Sequence, residues 1–371
     1  MAAELPTVVA PAHHPGSVAE RRAVPDTRVL SFHADYGCRH RNRCCTPGWP
    51  IEVTDAEGTS IERAIREGAL TPPAGAHPLI TTSPPDAGET RLLRIHHDRC
   101  VFSDNAEGGG RRIHRALGHQ ALPLACRQFP RQVVSDPRGV SVTLSHYCPT
   151  AADHLATSVA PISIVANAAA FPGGAEYVGL EADPALPPLL HPAMAMDWDN
   201  WWRFEQLSVE LMGTASAPLG RLALAVEHVR QWNVDDGPLS VRLTSAFAVA
   251  RSAATVPNVL GTPPQVMATC QTAVGAVPTN WRDAATAALG VTPALPVSDH
   301  VWRRFVAAHI FENWTAHLGE GLRTWFASVH AAACLLAHTG APGRADLILR
   351  HLADSNALVA RWNPAEHRPW F

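Results

Sequence analysis

The sequence predicts an α+β protein, a small loop-rich metal-binding module packed on a mainly α-helical body. Three observations predict it. Six of the eight cysteines, Cys38, Cys44, Cys45, Cys100, Cys126 and Cys148, fall within the first 150 of 371 residues, in a region dense in turn signals. A stretch rich in proline and glycine follows, holding Pro172, Gly173, Gly174, Pro184, Pro187, Pro188 and Pro192. Beyond it, apolar residues recur at the 3.6-residue period of helices. These features divide the chain into a disordered tail over 1–27, a cysteine-cluster module over 28–155, a linker over 156–196 and a helical domain over 197–371.

The tail carries Pro6, Pro11, Pro15 and Pro25 among scattered charges, with no charged-then-apolar signal pattern. In the module, Val29–Phe32, Gly48–Val53, Arg91–Ile95 and Val140–Leu144 read as short strands. Thr71–Gly88, with five prolines, reads as a long loop, and Asn105–Gly110 as another. Such a domain buries little apolar surface, so a bound metal would help to hold it. In the body, Asp197 caps a helix whose Trp198, Trp201, Phe204, Leu207 and Leu211 make one apolar face. Leu219, Leu222, Val226 and Val229 make a second stripe. Ser298 opens a third helix through Val301, Phe305, Ala308 and Trp314. Gly321–His338 is a fourth, stopped by Gly340, and Arg344–Trp362 a fifth. Between them, about 235–297 reads as helical pieces broken by proline.

Composition narrows the partners. The chain is 46 % hydrophobic, enough for a proper core, and its formal net charge is −3. No basic field points to nucleic acid or to an anionic membrane. The most apolar stretches, Leu155–Phe171 and Thr324–Ala337, are interrupted and shorter than a membrane span. The expected location is the cytoplasm, where clustered cysteines bind metal more often than they form disulfides. Lysine is absent, so no lysine serves as base, Schiff-base former or phosphate ligand.

The cysteines come as Cys38-x5-Cys44-Cys45 followed by Thr46-Pro47-Gly48-Trp49, as Cys100 after His96-His97-Asp98-Arg99, as Cys126 in Leu122-Pro123-Leu124-Ala125-Cys126-Arg127-Gln128-Phe129-Pro130-Arg131, and as Cys148-Pro149. Four thiolates complete a tetrahedral zinc or a [4Fe–4S] cluster. No pair has the CxxC spacing of a zinc ribbon, and a proline directly after Cys148 points weakly to iron. The alternative is that the thiols pack as small hydrophobes. Their neighbours, mostly proline, arginine or histidine, argue against it for these six. For Cys270 and for Cys334, set in Ala331-Ala332-Ala333-Cys334-Leu335-Leu336, packing is the better reading.

Taken in order, these elements, with Ile113-His114-Arg115-Ala116-Leu117-Gly118 between Cys100 and Leu122, resemble the YkgJ-type cysteine-cluster family of zinc- or iron-chelating domains. The Cys-Cys-x3-Trp and Cys-Arg-x-Phe-Pro-Arg elements are most similar to the branch that contains the flagellin lysine-N-methylases. The resemblance covers residues 30–155, and more weakly Asn313-Trp314 and Gly319-Glu320-Gly321-Leu322-Arg323. It implies a [4Fe–4S] cluster or a zinc or iron ion, S-adenosylmethionine as methyl donor and a protein substrate. Where the family places a further cysteine before the Ile-His element, this chain has Arg111-Arg112, and His114 is the available substitute ligand. Arg127 and Arg131 would bind the donor's carboxylate. The competing role for Arg111, Arg112, Arg115, Arg127 and Arg131 is compensation of an anionic thiolate site. No glycine-rich strand–turn–helix of the common methyltransferase fold is visible. A non-catalytic structural or redox metal module is the alternative function.

Overall fold

The fold was analysed in a computed structural model, which describes residues 26–353 apart from 40, 42, 47, 48, 50, 72–76, 83–89, 97, 98, 104–111, 292–295 and 313. The tail up to residue 25, the Asn105–Gly110 loop and Arg111 therefore lie outside the described residues, as does the fifth helix beyond residue 353.

The first half alternates short strands and short helices in the order β1 (Thr27–Leu30), β2 (Ile51–Val53), α1 (Asp55–Arg66), β3 (Leu79–Thr82), β4 (Thr90–Leu93), β5 (Ile95–His96), β6 (Arg99–Cys100), α2 (Arg112–Leu117), α3 (Leu124–Gln128), β7 (Arg131–Asp136), β8 (Gly139–Leu144) and α4 (Pro149–Thr157). Four more strands follow, β9 (Ile164–Ala166), β10 (Leu180–Glu181), β11 (Leu189–His191) and β12 (Met194–Ala195). The rest is helical: α5 (Trp198–Thr214), α6 (Pro218–Arg230), α7 (Leu239–Ser252), α8 (Pro263–Ala276), α9 (Thr279–Leu289), α10 (Asp299–Glu312), α11 (Leu322–Thr339) and α12 (Pro342–Ala353). The mixed α+β composition matches the sequence expectation.

The main sheet has the order β10-β7-β8-β1-β9. β7 and β8 form an antiparallel hairpin, and β1 lies parallel to β8 with Arg28 opposite Ser141. Its two edges come from the segment expected to be a linker, β9 antiparallel to β1 and β10 parallel to β7. Residues 156–196 therefore complete the sheet. The prolines of this segment, among them Pro161, Pro172 and Pro184, fall outside β9 and β10, where no ladder donor is lost. A second, antiparallel sheet, β2-β4-β3, carries the cysteine loops, with β3 lying inside the expected long loop.

The body folds as its stripes require. Asp197 caps α5 by accepting from the Asn200 backbone N–H at 2.8 Å. Pro263 starts α8 in its first turn, and Pro238 and Pro278 sit at the N-caps of α7 and α9. Gly340, at φ 64°, ends α11 with its N–H on the Leu336 carbonyl. α11 is the central helix, with Ala331 to Leu336 all buried. Of the three tryptophans opening α5, Trp201 is fully buried against Phe204 and Trp325, and Trp202 faces outward. The ring of Trp198 stacks on His317 and lies under the Arg138 guanidinium from the sheet.

A buried ionic knot fastens sheet to body. Arg28 of β1 donates to Glu205 of α5 at 3.0 Å and lies 3.5 Å from Asp136. Arg138, beside the hairpin turn, bonds Asp136 and reaches Glu205 at 3.3 Å. Two guanidinium groups and two carboxylates balance, which is what allows four charges to sit together out of water.

Candidate metal centre and adjoining cleft

Each cysteine is positioned by a local device. After β1 the chain makes a 3-10 turn, Ser31–His33, and reaches Cys38, which is exposed. Its loop is tied to α4 by Arg41, 2.8 Å from Asp153. A second 3-10 turn, Arg43–Cys45, presents Cys44 and Cys45 with their sulfurs 4.0 Å apart. Cys100 is held on β6 opposite Ile95. Cys126 lies in α3, whose opening N–H at Leu124 donates to Glu57 at 2.9 Å. Glu57 also closes the capping box with Thr54 that starts α1. One carboxylate thus sets α1 and the Cys126 helix relative to each other. Cys148 is the residue just before α4, buried, with its sulfur 3.6 Å from the Tyr36 hydroxyl.

Five of the six fall in two apolar clusters, and Cys38 is exposed. Cys44, Cys45, Cys100 and Cys126 pack in one apolar cluster with Leu93, Phe102, Ile113 and Leu122. Cys148 packs with Tyr36, Val142 and Phe171 in a neighbouring cluster. Burial, followed by the charges of Cys148 and Cys38, pushes the Tyr36 hydroxyl well above its ordinary value, with Arg131 opposing. Tyr36, two residues before Cys38 in the chain, thus ties that loop to Cys148. The two groups meet where the Thr46 hydroxyl approaches that of Tyr147 at 3.3 Å and where Trp49 packs on Phe129 and Tyr147. Arg350, from α12, lies over the Trp49 ring at 4.3 Å, so the helical body braces this junction.

The Cys44 and Cys45 sulfurs can be compared with the geometry of a thiolate site. Zn–S bonds of about 2.3 Å at tetrahedral angles place ligand sulfurs about 3.8 Å apart. The 4.0 Å between Cys44 and Cys45 fits one edge of such a site. His114, the candidate substitute ligand, is on α2 next to the buried Ile113, its ring edge-on to His119 at 5.7 Å.

The two arginines singled out in the sequence differ. Arg127 donates to the carbonyl of Leu122 at 2.6 Å and stands 3.5 Å from Glu57 and 3.3 Å from Glu176. Both of its terminal amino groups are taken by internal acceptors, whereas its buried Nε has no hydrogen-bond partner among the described residues. Arg131 donates to the Arg127 carbonyl at 3.1 Å and lines a cleft of about 600 Å³. Arg91, Gln128, Phe129, Trp314 and Arg350 also line it, with Glu52 and Asp55 among the walls. Two buried polar atoms of this lining, Gln128 Oε1 and the Trp314 indole Nε1, have no hydrogen-bond partner among the described residues. An acceptor and a donor left in this state are costly unless something binds there.

One cluster was missed from the sequence. His146, His309 and Asp346 bring ligand atoms within 4.8 Å of one another. Burial pushes the Asp346 carboxyl up, but His146 and His309 outweigh it and hold it well below the carboxylate range. Burial, then the charges of His146 and His154, holds His33 well below the ordinary imidazole value. No motif could have found this group, since its members lie up to 200 residues apart.

Among the described residues no helix is long and apolar enough to cross a membrane. No family model, curated protein or solved structure matches the chain.

Proposed function

We propose that this chain is a metal-binding cysteine-cluster protein in which Cys44, Cys45, Cys100 and Cys126, with Cys38 and Cys148 adjoining, hold an iron–sulfur cluster or a zinc or iron ion. The packing of four of these cysteines, from the Arg43–Cys45 turn, β6 and α3, into one apolar cluster carries the proposal. The resemblance of the ordered cysteine motifs to the YkgJ-type family supports it. When bound, the metal group would order the loops around it and polarise a ligand in the cleft alongside. Metal analysis with absorption spectroscopy on anaerobically purified protein is the test. Thiolate-to-iron charge transfer is expected for iron, and stoichiometric metal without colour for zinc. Protein that carries neither, and takes up neither on reconstitution, would sink the reading.

A second reading, an S-adenosylmethionine-dependent protein lysine N-methyltransferase, is favoured by the cleft itself. It adjoins Cys126, offers Arg131 and Arg350 for a carboxylate, and has Phe129 and Trp314 for an aromatic base. Since Arg127 is held by Glu57 and Glu176, Arg131 is the residue assigned to the donor. Calorimetry should then find donor binding that Arg131→Ala weakens by about 1.5–3 kcal/mol. No binding heat at millimolar donor returns the protein to the non-catalytic metal module.

A further inference from the structure

His146 leaves the end of β8 and enters the seam between the first half and the helical body, 1 % exposed, with its ring against Phe305 and His309 of α10. Facing it from α12 is Asp346, 4 % exposed. The Asp346 carboxylate accepts the backbone N–H of His146 and lies 3.0 Å from His309 Nε2. Oδ2, the oxygen that accepts that N–H, is also 3.2 Å from His146 Nδ1, and Oδ1 is the one near His309. That approach is out of line for a hydrogen bond, and His146 Nδ1 has no hydrogen-bond partner among the described residues.

The other nitrogen of His146 explains why this matters. His146 Nε2 lies 3.3 Å from His33 Nε2, and one proton is shared between them. If His146 donates it, Nδ1 turns a bare lone pair toward a carboxylate oxygen in a dry site, and the two repel. If His33 donates it, Nδ1 carries a hydrogen with no aligned acceptor. A cation held off the Nδ1–oxygen line removes both defects. We propose that His146 Nδ1, His309 Nε2 and the Asp346 carboxylate form a second metal site, for a first-row divalent transition ion such as zinc or ferrous iron. Two imidazoles and one carboxylate suit such ions, whereas magnesium and calcium take all-oxygen sets. On a tetrahedral ion with bonds of about 2.0–2.1 Å, ligand atoms sit about 3.4 Å apart. The separations of 3.0 and 3.2 Å, within a group no wider than 4.8 Å, need only a small adjustment to reach that. His33 would then orient His146 through its distal nitrogen, the usual arrangement around a metal-bound imidazole. The site draws one ligand from the sheet half and two from the body, and uses no cysteine.

Cobalt(II) separates the two sites on the full-length protein. Chelated protein is titrated with cobalt alone and read by absorption and by bound-metal stoichiometry. A thiolate site gives sulfur-to-metal charge transfer, and a nitrogen–oxygen site gives ligand-field bands without it. The wild type is expected to bind one equivalent that lacks the thiolate signature. His309→Gln and Asp346→Asn should each lose that equivalent, while Cys44→Ser/Cys45→Ser keeps it. His309 is about a tenth exposed, so His309→Gln is the milder change and stands if Asp346→Asn fails to fold. Equal stoichiometry in the wild type and the folded variant overturns the proposal, as does a wild type whose bound cobalt is all thiolate-ligated. Loss of the thiolate signal alone would count against the cysteine centre and leave this site standing.

Discussion

The Tyr36 hydroxyl sits 3.6 Å from the sulfur of Cys148, linking the loop that leads to Cys38 with the start of α4. Tyr36→Phe keeps the ring against Phe171 and removes only this polar contact. It should cost about 0.5–1.5 kcal/mol in urea unfolding. Tyr36→Ala also empties a buried site and should cost about 3–5 kcal/mol. Equal losses from the two would show that the hydroxyl, and not the ring, holds the loop.

Glu205→Gln should be among the more damaging isosteric changes. It leaves Arg28 and Arg138 sharing Asp136 alone, with one positive charge too many in a buried knot. The expected loss is about 3–5 kcal/mol. A change below 1 kcal/mol in thermal or urea unfolding would mean that water reaches the knot.

Cys270 and Cys334 serve as internal controls for the cysteines proposed as metal ligands. Burial pushes both thiols up to about 12. At pH 8 they should resist iodoacetamide in the folded protein and react once it is unfolded, as mass spectrometry would reveal. The sign for stability follows. A thiol that ionises near 9 when unfolded and near 12 when folded favours the folded state below pH 9, and that contribution is lost as pH rises toward 12. Alkaline unfolding should begin later in Cys270→Ala/Cys334→Ala than in the parent, relative to each protein's stability at pH 8.

His317 predicts the behaviour in acid. Burial lowers it to about 4, so protonation is resisted in the folded state. Its contribution is complete above about pH 6.5 and is lost as pH falls through 4. His317→Gln should flatten the stability profile between these limits by on the order of 2 kcal/mol. An unchanged profile would assign the acid response to other groups.

Gly321 and Gly319 should respond differently to alanine. Both have positive φ, but a Cβ on Gly321 would stand 2.8 Å from the His191 backbone, whereas one on Gly319 meets nothing within 4 Å. Gly321→Ala should cost about 2–4 kcal/mol and Gly319→Ala about 1 kcal/mol by thermal unfolding.

The helical half was legible because its signals are local. Asp197, Gly340 and the stripe from Trp201 to Leu211 act within one or two turns. The sheet was half legible. β1 carries Val29 and Leu30 and β8 alternates apolar with small polar residues, but β7, Arg131 to Asp136, begins and ends polar and is defined only by its partner. α1 had a readable start in the Thr54 and Glu57 capping box, which the cysteines on either side overshadowed. The edge strands β9 and β10 were hidden by the prolines around them. At the site, the six cysteines stand out in the sequence and their service to one metal is a proposal, whereas His146, His309 and Asp346 are joined only by tertiary packing. The separate commitments of Arg127 and Arg131 depend on where Glu57 and Glu176 arrive, which no spacing encodes.

The parallel pairing of β1 with β8 places Arg28 beside Ser141, 113 residues later. During synthesis at about 5–20 residues per second, β1 waits roughly 6–23 s for its neighbour. Cys38, Cys44, Cys45, Cys100 and Cys126 are all made in that interval, before the strand that closes the sheet exists. Their thiols therefore meet the surrounding medium on a growing chain. If these cysteines take a metal as proposed, its loading would depend on metal supply and oxidant levels near the ribosome as well as on the affinity of the finished fold, and slower translation through 28–144 would lengthen the exposure.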